Sequence, residues 1–164
     1  MTLRSTLIAV SSAALLVVGL AGCSAIGDTV GKVVDVDGDT SAFDVTVGDC
    51  INDAEATAAD EVSNVTVVEC TEPHDYEAYE TITMTEDEFP GETGVSSAAD
   101  DGCYAAFEEF VGISYDDSLL TFTYFAPTEG SWADGDKEIL CMVVDVDENG
   151  DVIQSSESLE GAAR

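Results

Sequence analysis

Five cysteines, four of them set apart from the first, place the tightest limit on what this chain can fold into. Cys23 closes an apolar N-terminal run, while Cys50, Cys70, Cys103 and Cys141 are spread through the sequence that follows. An even number of cysteines downstream of an export leader is what disulfide bonding requires. Four cysteines allow three complete pairings, and sequence alone does not choose among them. We expect Cys50 with Cys70 and Cys103 with Cys141, the first stapling a local loop and the second tying a central helix to a late core strand. Each closure stabilises a fold by about 2 to 4 kcal/mol, largely by restricting the unfolded chain.

The leader itself is legible. Residues 1–22 contain no acid, Arg4 supplies a positive start, and Leu7 to Leu20 supplies an apolar stretch too short to be read first as a spanning helix. Leu20-Ala21-Gly22-Cys23 resembles the lipobox of bacterial lipoproteins, in which the cysteine is diacylated, with palmitate-type chains, and becomes the first mature residue. The expectation is a signal peptide over 1–22, a lipid-anchored Cys23 followed by an acidic tether over 23–42, a compact domain over 43–161, and a short tail over 162–164. The resulting location is the extracytoplasmic face of a bacterial membrane.

Charge narrows the partners. Asp and Glu number 35 against 4 Lys and Arg, for a formal net charge of −31. A phosphate backbone would meet repulsion over most of such a surface, so nucleic acid is excluded as a partner, and a basic membrane-binding face is equally absent. The partners expected are membrane lipid through acylated Cys23 and an envelope protein or wall component.

Periodicity outlines an α+β domain: a small mixed or antiparallel sheet, one principal helix and two disulfides. Val45 and Val47 read as a short strand entering the Gly48-Asp49-Cys50 turn. Val62 to Val68 reads as a second strand, with Val65 and Val67 on one side, and Tyr76 to Met84 as a third with a bulge or imperfect period. Ser97 with Asp100 three places on resembles a helix start, Ala99, Cys103, Ala106-Phe107 and Phe110-Val111 make one apolar face, and Gly112 ends it. Gly102 weakens this helix, so packing must support it. Leu119 to Phe125 and Glu138 to Val146 are the strongest strands, separated by an irregular loop carrying Trp132, and Asn149-Gly150 turns the chain back toward Val152-Ile153.

Several residues have a chemical reading beside a structural one. His74 has acids nearby and is read as stabilising a turn or binding, rather than as a catalyst, since no GxSxG element or oxyanion-stabilising site accompanies it. Cys70 and His74 stand four positions apart, and Cys50 would add a zinc ligand. However, paired CxxC spacing is lacking and the compartment is oxidising, which favours disulfides. Asp145, Asp147, Asn149 and Asp151 follow the oxygen-donor pattern of a Ca2+ loop, although Ser156 stands at the twelfth position; a solvent-facing hairpin turn is the preferred reading. Asp35, Asp37 and Asp39 are a weaker echo of it. Trp132, with Tyr124 and Phe125, could form a binding patch or simply pack in the core.

With these residues in place, the chain resembles the septum-formation domain family of actinobacterial envelope lipoproteins and membrane proteins. The resemblance runs from Val45 to Gly161. It rests on Val47-Gly48-Asp49-Cys50, on Val68-Glu69-Cys70-Thr71-Glu72-Pro73-His74-Asp75-Tyr76-Glu77, and on Cys103. Tyr124-Phe125-Ala126-Pro127-Thr128, Trp132, Gly135-Asp136-Lys137 and Cys141 complete it. It implies an extracytoplasmic domain associated with cell division, and names no reaction. The function expected is a non-enzymatic, lipid-anchored binding or scaffold protein; the alternatives, in order, are a divalent-cation-dependent binding module and a wall-directed hydrolase.

The charge excess yields a direct expectation. Raising salt from about 10 mM to about 150 mM shortens the screening length from about 30 Å to about 8 Å, so the thermal midpoint should rise. A midpoint that stays level or falls across that series would show that like-charge repulsion does not govern stability.

Overall fold

Strand β7 (Glu138–Val146) is the centre of the domain because its apolar residues are buried on both faces of a sheet. Ile139, Cys141 and Val143 point to one side, and Leu140, Met142 and Val144 to the other. This is why Ile-Leu-Cys-Met-Val-Val lacks the polar alternation of a half-exposed strand. The structure, a computed structural model, describes residues 40–53 and 62–164. The expected signal peptide, Cys23, the tether up to residue 39 and the weaker acidic echo at Asp35 to Asp39 lie outside the described residues.

The elements in order are β1 (Thr40–Ser41), β2 (Cys50–Ile51), β3 (Asn64–Val65), β4 (Val67–Val68), β5 (Tyr76–Thr83), α1 (Glu92–Val111), β6 (Leu120–Phe125), α2 (Glu129–Ala133), β7 and β8 (Val152–Ile153), with single 3-10 turns at Ala42–Asp44 and Tyr115–Asp117. The main sheet runs β4-β2-β5-β7-β6, with β8 paired to β7, and β1 pairs with β3. Every pairing is antiparallel. The domain is therefore α+β, with one main helix and two disulfides.

Both crosslinks form as expected. Cys50 joins Cys70 with Cα atoms 5.3 Å apart, and Cys103 joins Cys141 with Cα atoms 5.5 Å apart. The second bond fastens the buried face of α1 to β7. On that face Val95, Ala99, Cys103, Phe107 and Val111 are all buried, and Phe107 meets the rings of Tyr115 and Tyr79 edge-on at 5.1 and 6.2 Å. Gly102 has a packing role: a Cβ built there would stand 2.2 Å from Cδ1 of Ile82 on β5, so the helix comes close to the sheet where it lacks a side chain. The Tyr79 hydroxyl donates to the Cys103 carbonyl at 2.7 Å, and burial holds that phenol protonated well above its ordinary range.

The bulge anticipated between Tyr76 and Met84 is real. Ala78 pairs with Met142 and Glu80 with Cys141, leaving Tyr79 as the extra residue. Gly112 ends α1 in the left-handed region at φ 86°, its N–H donating to the Glu108 carbonyl. The hairpin from β7 to β8 also forms where Asn149-Gly150 placed it.

Four local expectations are corrected. Val45 to Val47 is not a strand: Asp49 Oδ2 accepts from the Thr46 N–H at 2.9 Å and its hydroxyl at 3.1 Å, making a turn, and pairing begins at Cys50. The helix starts at Glu92, not near Ser97, because Gly91 serves as N-cap and Val95 adds a buried position one turn earlier. The Trp132 loop contains the short helix α2, capped by reciprocal hydrogen bonds between Thr128 and Ser131. The Val62 to Val68 run also splits at Thr66, with its first half paired to β1 and its second to β2.

Truncating the centre of α1 tests this packing. Phe107 is wholly buried among Tyr79, Tyr115 and Phe122, so Phe107→Ala should lower the urea-unfolding free energy by about 3 to 5 kcal/mol. A loss under about 1 kcal/mol would contradict the packing described.

Candidate functional site

One end of the sheet gathers most of the buried polar side chains among the described residues: Asp49, His74, Asp75 and Glu77. The chain reaches it through a turn in which the Glu72 N–H donates to the Glu69 carbonyl at 2.8 Å, after which Pro73 leads into His74. His74 is held on the backbone by a two-way bridge with Ser155, each N–H donating to the other's carbonyl at 2.9 Å. The Asp75 N–H donates to the Ile51 carbonyl at 2.8 Å, which ties the same corner to β2.

The side chains complete the corner. Nδ1 of His74 lies 2.9 Å from the Glu72 carbonyl oxygen; a carbonyl only accepts, so Nδ1 carries the proton in this bond. Nε2 is buried and meets no hydrogen-bond partner among the described residues. Glu77 binds the segment after β8: one carboxylate oxygen accepts from the Ser158 hydroxyl at 2.7 Å and the other from the Leu159 N–H at 2.5 Å. The Cys50 sulfur, a His74 ring nitrogen and a Glu77 oxygen all lie within 4.8 Å of one another.

Chemically, this is a framework joint. Cys50 and Cys70 are consumed by their disulfide, so they present no thiolate to a metal. His74 has no exposed surface, which gives a substrate no path to its ring. Glu77 uses both oxygens to hold residues distant in sequence. The arrangement joins three stretches of chain that would otherwise separate.

The other candidate residues are dispersed. Asp147, Asn149 and Asp151 share the turn between β7 and β8, where Asp147 Oδ1 accepts from the N–H groups of Asn149 and Asp151 at 2.7 and 2.9 Å, and Oδ2 accepts from the Asn149 amide at 3.1 Å. The Asp151 N–H, followed by the Asn149 amide and N–H, holds the Asp147 carboxyl below the usual carboxylate range. Asp145 is directed elsewhere, to an ion pair with Arg164 at 2.7 Å. Trp132 is buried against Phe89, with ring centroids 5.7 Å apart, and Lys137 sits 4.7 Å over its ring. Lys137 also lines an open depression with Phe43, Ser131, Asp134 and Glu138. His74 and Trp132 thus occupy different parts of the domain.

Glu77, Ser158 and Leu159 are the joint residues that sequence reasoning missed. The available signal was an acid set between Tyr76 and Ala78-Tyr79 in a strand otherwise rich in apolar residues. Nothing in the polar Ser155 to Glu160 stretch showed where its partner lay.

A family model described as septum formation matches residues 30–164. No curated protein and no solved structure matches the chain. No helix among the described residues is long and apolar enough to cross a membrane.

Removing the Glu77 carboxylate isolates the joint. Glu77→Ala leaves the buried Leu159 N–H without its acceptor and should cost about 1 to 3 kcal/mol in urea unfolding, with faster hydrogen exchange at Leu159. Unchanged exchange at that amide would show that Glu77 does not hold the segment.

Proposed function

Because the chain belongs to the septum-formation family, whose role lies in cell division and the envelope, we propose that it is a lipid-anchored scaffold that presents a disulfide-stapled domain to an envelope protein or wall component. The observation that carries the reading is how the fold uses its polar chemistry. The buried His74 and Glu77 join segments of chain, while the surface presents acids together with exposed Phe43 and Leu119. A domain whose lone histidine and buried acids serve as joints, and whose outer surface is varied, is suited to recognition more than turnover.

Anchoring follows from the leader. A cysteine at position 23, directly after Leu-Ala-Gly and an acid-free apolar run, is suited to acylation. Two acyl chains would retain on the membrane a protein whose large excess of acids over bases opposes contact with anionic lipid. The mature domain would then work outside the cytoplasm, where its cysteines oxidise.

Metabolic labelling with an alkyne palmitate analogue tests the anchor, and fluorescence imaging of a fusion tests the place of action. The unaltered chain should take up label, sediment with membranes and concentrate at division sites. Cys23→Ser should lose the label and leave the membrane fraction. Label retained by Cys23→Ser, or an unaltered chain spread through the cytoplasm, would overturn the proposal.

A further inference from the structure

The buried corner around His74 carries a second capacity. We propose that reduction of the Cys50–Cys70 disulfide converts this corner into a zinc site formed by Cys50, Cys70, His74 and Glu77, so that metal and disulfide are alternative staples for the same joint. This inference is independent of what the domain binds in the envelope.

The state of His74 points to it. Its Nδ1–H is donated to the Glu72 carbonyl at 2.9 Å, while Nε2 is enclosed and unpartnered among the described residues. A metal-binding imidazole characteristically has this pattern: one ring N–H fixed by a carbonyl or carboxylate, the other nitrogen left with its lone pair. A buried acceptor without a donor is costly, and a cation would satisfy it.

The neighbouring donors have the right chemistry. The Cys50 sulfur and a Glu77 oxygen lie within 4.8 Å of the histidine and of each other. Tetrahedral zinc holds S, N and O donors at about 2.0 to 2.3 Å, which brings them to roughly 3.3 to 3.8 Å apart. Closing the gap takes movement on the order of 1 Å, available once Cys50 is free to change rotamer. Glu77 can keep its bonds to Ser158 and Leu159, because each carboxylate oxygen has a second lone pair. Cys70, whose Cα is 5.3 Å from that of Cys50, supplies the fourth ligand.

The two disulfides differ in access. Cys70 is partly exposed, whereas Cys103 and Cys141 are both fully buried. A dithiol reductant would attack the Cys70 sulfur and displace Cys50 as thiolate. The S–S bond breaks, two electrons and two protons pass to the protein cysteines, and the dithiol becomes a disulfide. Zinc then takes both sulfurs as thiolates and releases their two protons to solvent.

The test uses the full-length chain carrying Cys23→Ser, purified in detergent and reduced mildly under argon until mass spectrometry shows two free thiols, with Cys103–Cys141 retained. Zn2+ alone is the probe. The reduced chain should bind one equivalent and protect Cys50 and Cys70 from iodoacetamide, while the oxidised chain binds none. His74→Gln should weaken binding by about tenfold or more. Co2+ alone should give the absorption of tetrahedral thiolate coordination. Failure of the reduced chain to take up zinc, uptake that leaves both thiols open to alkylation, or equal affinity in His74→Gln would overturn the inference. If His74→Gln fails to fold, thiol protection in the chain that keeps His74 decides the matter.

Discussion

The packing of α1 on β7, closed by the Cys103–Cys141 bond, is the constraint from which the rest of the domain follows. β7 is apolar on both faces, so it is stable only if something covers each side. The helix covers one side, and close approach requires small or crosslinked positions at the contact: Ala99, Gly102 and Cys103 provide them. The other side is covered by Ile51, Val65 and Val67, carried on strands of only two residues, together with Val45 from the turn ahead of Cys50. Strands so short have little ladder of their own, which gives the Cys50–Cys70 bond and the polar corner their purpose.

The two halves of the domain are therefore held in different ways. Around α1, stability comes from aromatic packing: Phe107, Tyr79, Tyr115 and Phe122 form one contiguous cluster. At the opposite corner, Asp49 and His74 fix the turns they stand in, the carboxylate of Asp49 accepting from Thr46 and the ring of His74 donating to the Glu72 carbonyl, while Glu77 accepts from Ser158 and Leu159 and so joins β5 to the segment after β8. The chain end is tied in by the same means: Ala163 donates to the Val111 carbonyl, Leu119 to that of Arg164, and the Arg164 guanidinium pairs with Asp145. Arg164 and Lys137 are the basic side chains among the described residues, and each is engaged with the fold.

How much of this was legible in the sequence depended on whether a feature was local. Strand β7, the β7–β8 hairpin, an irregularity between Tyr76 and Met84 and the helix end at Gly112 all rest on periodicity or backbone preference within a few residues, and all were readable, though only the fold places the bulge at Tyr79. The helix start was missed because proline and glycine favour turns and Pro90, Gly91 and Gly94 stand just ahead of Ser97, although Gly91 alone serves as the cap and Gly94 lies within the helix. Val45 to Val47 looked like a strand because its alternation was right; the Asp49 carboxylate captured the backbone first. The joint made by Glu77 with Ser158 and Leu159 spans more than eighty residues of sequence, and no local pattern encodes such a contact. His74 was singled out by its neighbouring acids and Pro73, but its burial, and an Nε2 without a partner among the described residues, belong to the folded state alone.

Membership of the septum-formation family points to a role in cell division and the envelope, and the domain that would serve it is held in shape by two crosslinks and a corner of buried polar groups. That account depends on both crosslinks being present in the working molecule, with their partners as the fold places them. Proteolytic peptide mapping without reduction, performed on chain recovered from intact envelopes after thiol blocking, tests it most directly. The account predicts linked peptides joining Cys50 to Cys70 and Cys103 to Cys141; crossed pairs, or four blocked thiols in the folded protein, would contradict it.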